Sequence, residues 1–328
     1  MDAPVIGAEA SPFLERSAWR GGVSWRYQRS FRHFVGSDEQ IEREEEGSQV
    51  INSIHLADVW FQYGLSDRMS LTVSVPYLMA TRSLPIRDEN RVVIGRSTMT
   101  ARALSDITVV ARRWMKDPVH CKSWNVQLGL GVKLPTGPND VLDTRTNYED
   151  SAYVTNVQSV DQSIQPGDGG FGFLVDMQAF RRLFGGKAVA YLSGTYLSNP
   201  ENTNGVLTYR SRASEAVMSV ADQYVLRAGA GAAVPGVTGL GFSLGGRVEG
   251  VPAEDLIGSS DGFRRPGYAV SIEPLLSLDV GAMNIGAAVP IALYRNRVRS
   301  VSDRADDRHG DAAFADYLIL VGVSRRLN

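Results

Sequence analysis

Along most of this chain, apolar residues alternate with polar or small ones in segments of about ten residues. Ser70-Leu71-Thr72-Val73-Ser74-Val75 is the cleanest stretch, and Trp124-Asn125-Val126-Gln127-Leu128-Gly129-Leu130-Gly131-Val132-Lys133-Leu134 is the longest. Successive side chains of a strand point to opposite faces, so each segment has one apolar and one polar face. The pattern predicts an all-β chain. Either the apolar faces pack on each other, as in a sandwich, or they meet lipid around a polar lumen.

Period two predicts about twelve strands. They lie near Trp19–Phe34, Val50–Gly64, Met69–Thr81, Ser105–Met115, Trp124–Pro135 and Gly170–Phe180, then Ala188–Leu197, Asp222–Val234, Leu240–Val251, Gly267–Leu278, Met283–Arg297 and Ala313–Leu327. The connections between them alternate in length. Short turns fall near Ser66–Arg68, Asp117–Ser123, Arg181–Lys187, Gly236–Gly239 and Asp279–Ala282. Long loops fill Val35–Gln49, Arg82–Leu104, Thr136–Gly167, Ser198–Ala221, Pro252–Pro266 and Val298–Ala312. In a meander this places every short turn at one end, as in a membrane barrel, whereas a soluble domain rarely carries several structureless loops of such length. The expected fold is therefore a transmembrane up-and-down antiparallel β-barrel over 17–328, with short periplasmic turns and long extracellular loops. Residues 1–16 would form an N-terminal periplasmic extension. Aromatic residues fit two interfacial girdles: Tyr63, Trp114, Trp124 and Phe180 by the short turns, Phe31, Tyr77, Tyr196, Tyr224, Tyr268 and Tyr294 by the long loops.

Composition narrows the chemistry. A net charge of −2, without a basic patch interleaved with aromatics, argues against a nucleic-acid partner. Cys121 stands alone in a turn, so no internal disulfide and no cysteine metal site can form. No apolar run reaches the length of a membrane-spanning helix. The start, Met1-Asp2-Ala3-Pro4-Val5-Ile6-Gly7, has no signal-peptide pattern. For a bacterial outer-membrane protein, this implies a mature sequence whose signal peptide has been removed. No EF-type calcium spacing occurs, and no cofactor or metal is expected. The acidic stretches Glu42-Arg43-Glu44-Glu45-Glu46 and Asp303-Arg304-Ala305-Asp306-Asp307 read as solvated or lipopolysaccharide-bridging surfaces.

Several phrases have a family look. They are Val73-Ser74-Val75-Pro76-Tyr77, Ser105-Asp106-Ile107-Thr108-Val109, Val132-Lys133-Leu134-Pro135-Thr136-Gly137, Gln165-Pro166-Gly167-Asp168-Gly169 and Arg265-Pro266-Gly267-Tyr268. In that order the chain resembles the outer-membrane family described as meta-pathway phenol degradation-like transporters. The resemblance implies an outer-membrane barrel and a channel for small, often aromatic or hydrophobic, compounds. The ending, Val321-Gly322-Val323-Ser324-Arg325-Arg326-Leu327-Asn328, departs from the usual closing aromatic of such barrels.

Strand parity places a set of charged side chains in the lumen, because charges facing lipid cost a few kcal/mol each near the midplane. The lumen-lining candidates are Arg26, Arg32, Arg112, Lys133, Asp176, Arg227, Arg247, Glu249 and Glu273. They either set a transverse field that orients solutes, or pair to fill and stiffen a narrow interior. Thr136–Gly167, the longest loop, is a candidate plug. The first functional reading is a channel for passive passage of small solutes, with outer-membrane lipid and lipopolysaccharide around it. A second is a structural sleeve around, or dock for, an envelope protein partner; no Cys-x-x-Cys-His is present to attach a haem. A third, a barrel hydrolase, would need a base such as His33 near Ser30, but no nucleophile motif surrounds either.

Overall fold

The alternation becomes a closed antiparallel barrel of twelve strands in a computed structural model that describes residues 13–327. In chain order the strands are β1 (Trp19–Val35), β2 (Ile51–Ser66), β3 (Met69–Arg87), β4 in two pieces (Val93–Leu104 and Ile107–Trp114), β5 (Trp124–Leu134) and β6 (Gly172–Leu183). They continue with β7 (Ala188–Ser198), β8 (Gln223–Ala233), β9 (Leu240–Val251), β10 (Gly267–Val280), β11 in two pieces (Met283–Ala288 and Ile291–Arg297) and β12 (Ala312–Arg326). Each strand pairs with its sequence neighbours, and β12 returns to β1 from Arg20↔Arg326 to Phe34↔Ala312. No helix among the described residues is long and apolar enough to cross a membrane, and strands that pair around a closed ring satisfy their wall amides mostly from each other.

A band of exposed apolar side chains encircles the barrel, including Val23, Phe61, Leu130, Val175, Leu226, Leu244 and Leu276. Their neighbours in sequence point inward and are buried: Gln62, Ser74, Gln127, Asp176, Arg227, Ser243 and Glu273. Burial is thus inverted relative to a soluble protein, as expected for walls solvated by lipid outside. Trp114, expected in a girdle, points inward instead and meets the Phe180 ring edge-on at 5.9 Å.

Two strands break where the sequence has reasons. β4 breaks at Ser105-Asp106. Its upper piece pairs with β3 alone, and only the lower piece also pairs with β5. The stretch expected as a loop at Arg82–Leu104 is therefore mostly strand: β3 runs on to Arg87 and turns tightly back to Val93. Membrane crossing needs about 9–11 tilted residues, so this 19-residue strand rises well above the apolar band. The third long loop, between β5 and β6, likewise contains a hairpin, Leu142–Glu149 with Ala152–Ser159. It covers the free edge of the upper β4 piece, with Thr100 N–H donating to Asp143 at 2.6 Å and Thr146 N–H to Ser97 Oγ at 2.9 Å. β11 breaks at Pro290, which has no amide to give the ladder. Above it, contact with β12 is reduced to Ile291↔Tyr317. An ionic cluster of Arg32, Glu39, Arg295 and Asp316 lies beside that gap, with Arg295 and Arg32 both donating to Asp316 at 2.6 and 2.8 Å.

Candidate functional site: the barrel lumen

Inward parity concentrates the chemistry in one cavity of about 730 Å³ enclosed by the barrel and its loops. Its walls differ. On β2–β4, Ile54, Leu56, Trp60, Pro76, Leu78 and Val110 form an apolar patch, bordered on the same strands by Asp58, Gln62, Arg82 and Arg112. The opposite side of the barrel interior carries charge. Arg227 on β8 donates to Glu273 on β10 at 2.7 Å, and Arg247 on β9 lies 3.3 Å from the other Glu273 oxygen. Arg247 also holds Glu249 at 2.5 Å. Glu249 in turn lies 3.4 Å from Arg26 on β1, so the chain of ion pairs reaches across three intervening strands.

A second pair, Arg112 on β4 and Asp176 on β6, meets at 2.7 Å over Gly129 of β5. A methyl at position 129 would sit 3.1 Å from Asp176 and 3.0 Å from Arg112, so glycine leaves the space through which the pair joins. Gln127 Oε1, one step nearer the short-turn end on the same strand, is buried with no hydrogen-bond partner.

The lumen-lining candidates divide by position. Arg26, Arg112, Lys133, Asp176 and Glu249 border the cavity. Arg227, Arg247 and Glu273 are inside the barrel but packed behind it, buried and mutually paired. Arg32 is a correction: it does not border the cavity. A register shift between Ser30 and Arg32 inserts an extra residue, so His33 takes the inward place. Parity counting carried Arg32 inward because a bulge leaves no mark in a hydrophobic pattern.

Loop three, between β5 and β6, folds into the mouth. Val160 and Ile164 are fully buried against Leu78, Ala80, Leu84, Met99 and Ala101. Gln162, Ser163, Gln165 and Pro166 thereby form part of the cavity roof. Both ends of the loop are clamped at the β4 break. Gly137 N–H donates to Asp106 at 2.9 Å, Asp168 N–H to the other Asp106 oxygen at 3.2 Å, and Ile107 N–H to Thr136 Oγ1 at 2.9 Å. Lys133 pairs with Asp168 and lies 3.7 Å from Asp106, while Ser105 donates to the Pro166 carbonyl. Gly137 and Gly167 touch backbone to backbone, where a Cβ on Gly137 would come within 3.0 Å of Gly167 N and Ser105. Three of the phrases singled out in the sequence thus meet in one knot.

Asp161 is the keystone of the roof, and nothing in the sequence marked it. It accepts from Arg265 at 2.8 and 2.7 Å, Tyr209 at 2.7 Å and Ser163 Oγ at 2.8 Å, with Arg82 of β3 at 3.3 Å. Burial alone would raise its pKa, but the Arg265 and Arg82 guanidiniums hold it well below the carboxylate range. In the second acidic stretch Arg304, Ala305, Asp306 and Asp307 are exposed, and only its first residue departs from a solvated surface. Asp303 is fully buried, paired with Arg297 at 2.8 Å, and closes a capping box with Ser300 on the helix Val301–Ala305.

The hydrolase geometry is missing. His33 Nε2 accepts from the Val50 amide at 2.9 Å and Nδ1 faces Asp311 at 2.5 Å, while Ser30 Oγ accepts from Asn52 at 3.2 Å. The imidazole is fully engaged away from the serine, so the pair has no base–nucleophile contact.

No family model and no curated protein matches this chain. Among solved structures it is similar to the COG4313 outer membrane channel from Pseudomonas putida F1, at a TM-score of 0.62 and 12% identity over 97% of this chain and 99% of that one. It also matches the translocator domain of the Neisseria meningitidis autotransporter NalP, at 0.49 and 10% over 95% and 89%. A third match is the P. putida toluene transporter TodX, at 0.45 and 9% over 98% and 92%. At these identities the first match supports the fold, an outer-membrane type of barrel.

Proposed function

We propose that this protein is an outer-membrane channel for the passive passage of small solutes, including apolar and aromatic ones. The observation that carries the reading is the cavity itself: an apolar patch on β2 and β3 lies among ionised and polar side chains inside a barrel with an apolar outer belt. A small solute can lay its apolar body on Leu56, Trp60 and Leu78 while its polar atoms address Arg26, Arg112 or the open acceptor of Gln127. The motif resemblance to phenol degradation-like transporters and the likeness in fold to an outer membrane channel support the same reading.

Conductance of the purified protein in planar bilayers tests it. Discrete open-channel steps are expected, and Glu249→Gln should shift ion selectivity toward anions, because it removes one negative charge from the cavity wall. A correctly folded barrel that stays silent would overturn the channel reading, and protein co-purifying with it would turn attention to the sleeve reading.

A further inference from the structure

The outer surface of β1–β4 changes character one step above the apolar belt. Register sets Trp25, Ala57, Tyr77 and Leu104 side by side across the four strands. The next row toward the long loops is Tyr27, His55, Met79 and Arg102, and the one above it is Arg29, Ser53, Thr81 and Thr100. Tyr77, Met79, Arg29 and Arg102 are exposed, so these rows face outward. His55 stacks against Trp25 and Tyr27 at 5.7 and 4.8 Å, and Arg29 lies 4.4 Å above the Phe31 ring.

Many arginines near the long loops are tied to carboxylates, as with Arg82, Arg265, Arg297 and Arg308, whereas Arg87 holds a backbone carbonyl and Arg145 lies over the Tyr209 ring. Among the described residues, Arg29 and Arg102 have no such partner. The acid that the neighbouring hairpin brings close, Asp143, is spent on the amides of Thr100 and Thr144. Arg96, higher on the same face of β4, is bound to Ser83, Gly47 and Gln49 oxygens without a carboxylate, and burial lowers its pKa uncompensated. Positive charge on this face is therefore open for an outside anion.

Position and shape select the anion. The row stands where the apolar belt ends, the level of lipid headgroups. Arg29 and Arg102 sit three strand spacings and one outward row apart, about 16 Å at roughly 4.8 Å per strand and about 6.8 Å per row, with hydroxyls on the strands between them. One small phosphate cannot span that distance, whereas a sugar headgroup carrying more than one phosphate can. Guanidinium–phosphate bonds are strong and directional, and aromatic faces suit sugar rings.

We infer that the outward face of β1–β4 binds the phosphorylated headgroup of an outer-leaflet lipopolysaccharide, with Arg29 and Arg102 on its phosphates and Ser53, Thr81 and Thr100 on its sugars. The assignment rests on the outer-membrane seating proposed above. Native mass spectrometry of the detergent-purified protein, titrated with lipopolysaccharide, tests it. The wild type should hold one lipopolysaccharide; the double variant Arg29→Ala/Arg102→Ala should bind roughly ten- to thirty-fold more weakly while still migrating as a folded barrel. Dephosphorylated lipopolysaccharide should bind the wild type as weakly as the intact lipid binds the variant. Equal binding by wild type and variant, equal binding of the dephosphorylated lipid, or displacement by millimolar inorganic phosphate would each overturn the inference. Bilayer conductance on the same preparations separates the two readings. Lipid binding by a silent wild type overturns only the channel, and absent binding by a conducting one overturns only the lipid site.

Discussion

Arg227, Arg247, Glu249 and Glu273 show what an inward charge does when water is scarce. Arg227 and Glu273 are almost wholly buried, so each depends on the other for compensation. Truncating one partner leaves a buried charge, which typically costs about 3–5 kcal/mol, whereas replacing both with apolar groups of similar size is often near neutral. Arg227→Met should therefore lower the unfolding free energy read from a urea titration by up to that amount, since Arg247 still faces Glu273, and Arg227→Met/Glu273→Met should recover part of it, because Arg247 keeps Glu249. Near the mouth of the same cavity, Asp311 behaves differently. Burial pushes its pKa up, but the hydrogen bond from His33 and the charge of Arg43 outweigh this and hold it at about 2. Its contribution is complete above the ordinary carboxylate value, near pH 4, and is lost as pH falls through about 2. The thermal midpoint should accordingly drop between pH 4 and 2, and more gently in Asp311→Asn. Parity placed Arg227, Arg247, Glu249 and Glu273 inward, whereas Asp311 carried no mark in the sequence. The pairing of the inward charges was not legible, because partners such as Arg26 and Glu249 lie far apart in the chain and their meeting depends on barrel curvature.

Loop three is the element whose behaviour the roof decides. Its two ends are fixed by the knot around Asp106, and its middle by Val160 and Ile164 in the apolar cluster. Asp161 adds links to Tyr209 and Arg265 from two further loops. Removing that charge loosens the roof while leaving the wall intact. Asp161→Asn should raise single-channel conductance severalfold and expose loop three to limited proteolysis, with no change in the folded-barrel migration of the protein. An unchanged conductance would mean the roof does not limit passage. The Pro-Thr-Gly and Pro-Gly-Asp-Gly phrases, noted in the sequence only for their family resemblance, mark the two ends of this loop. Their convergence was invisible, since Ser105, Thr136 and Gly167 belong to three separate stretches. The Arg82–Leu104 hairpin was missed for a different reason: Leu84 and Ile86 face inward onto protein above the lipid, so the lipid-facing contrast that marks the lower strands fades there.

For the whole molecule, the inverted burial pattern was the most readable property. Strand positions follow from the two-residue period, and the alternation of short and long connections puts the loops that build the roof at one end. The sequence could not reveal the asymmetry of the interior. Ile54, Leu56 and Leu78 share the inward parity of polar positions, so counting faces predicted a polar lumen throughout. The result is an interior in which an apolar patch is set among charges, and the solute preference of the proposed channel follows from both together.

The joining of β1 to β12 also governs how this molecule comes into being. A sheet that closes on its own first and last strands cannot be finished piece by piece. Until Ala312–Arg326 arrives, both edges are open templates for any passing chain. Closure pairs the most distant segments of the sheet, the slowest kind of contact to find. A protein shortened by its last strand is thus no smaller barrel but an adhesive ribbon, and escort during biogenesis is a requirement written into the topology.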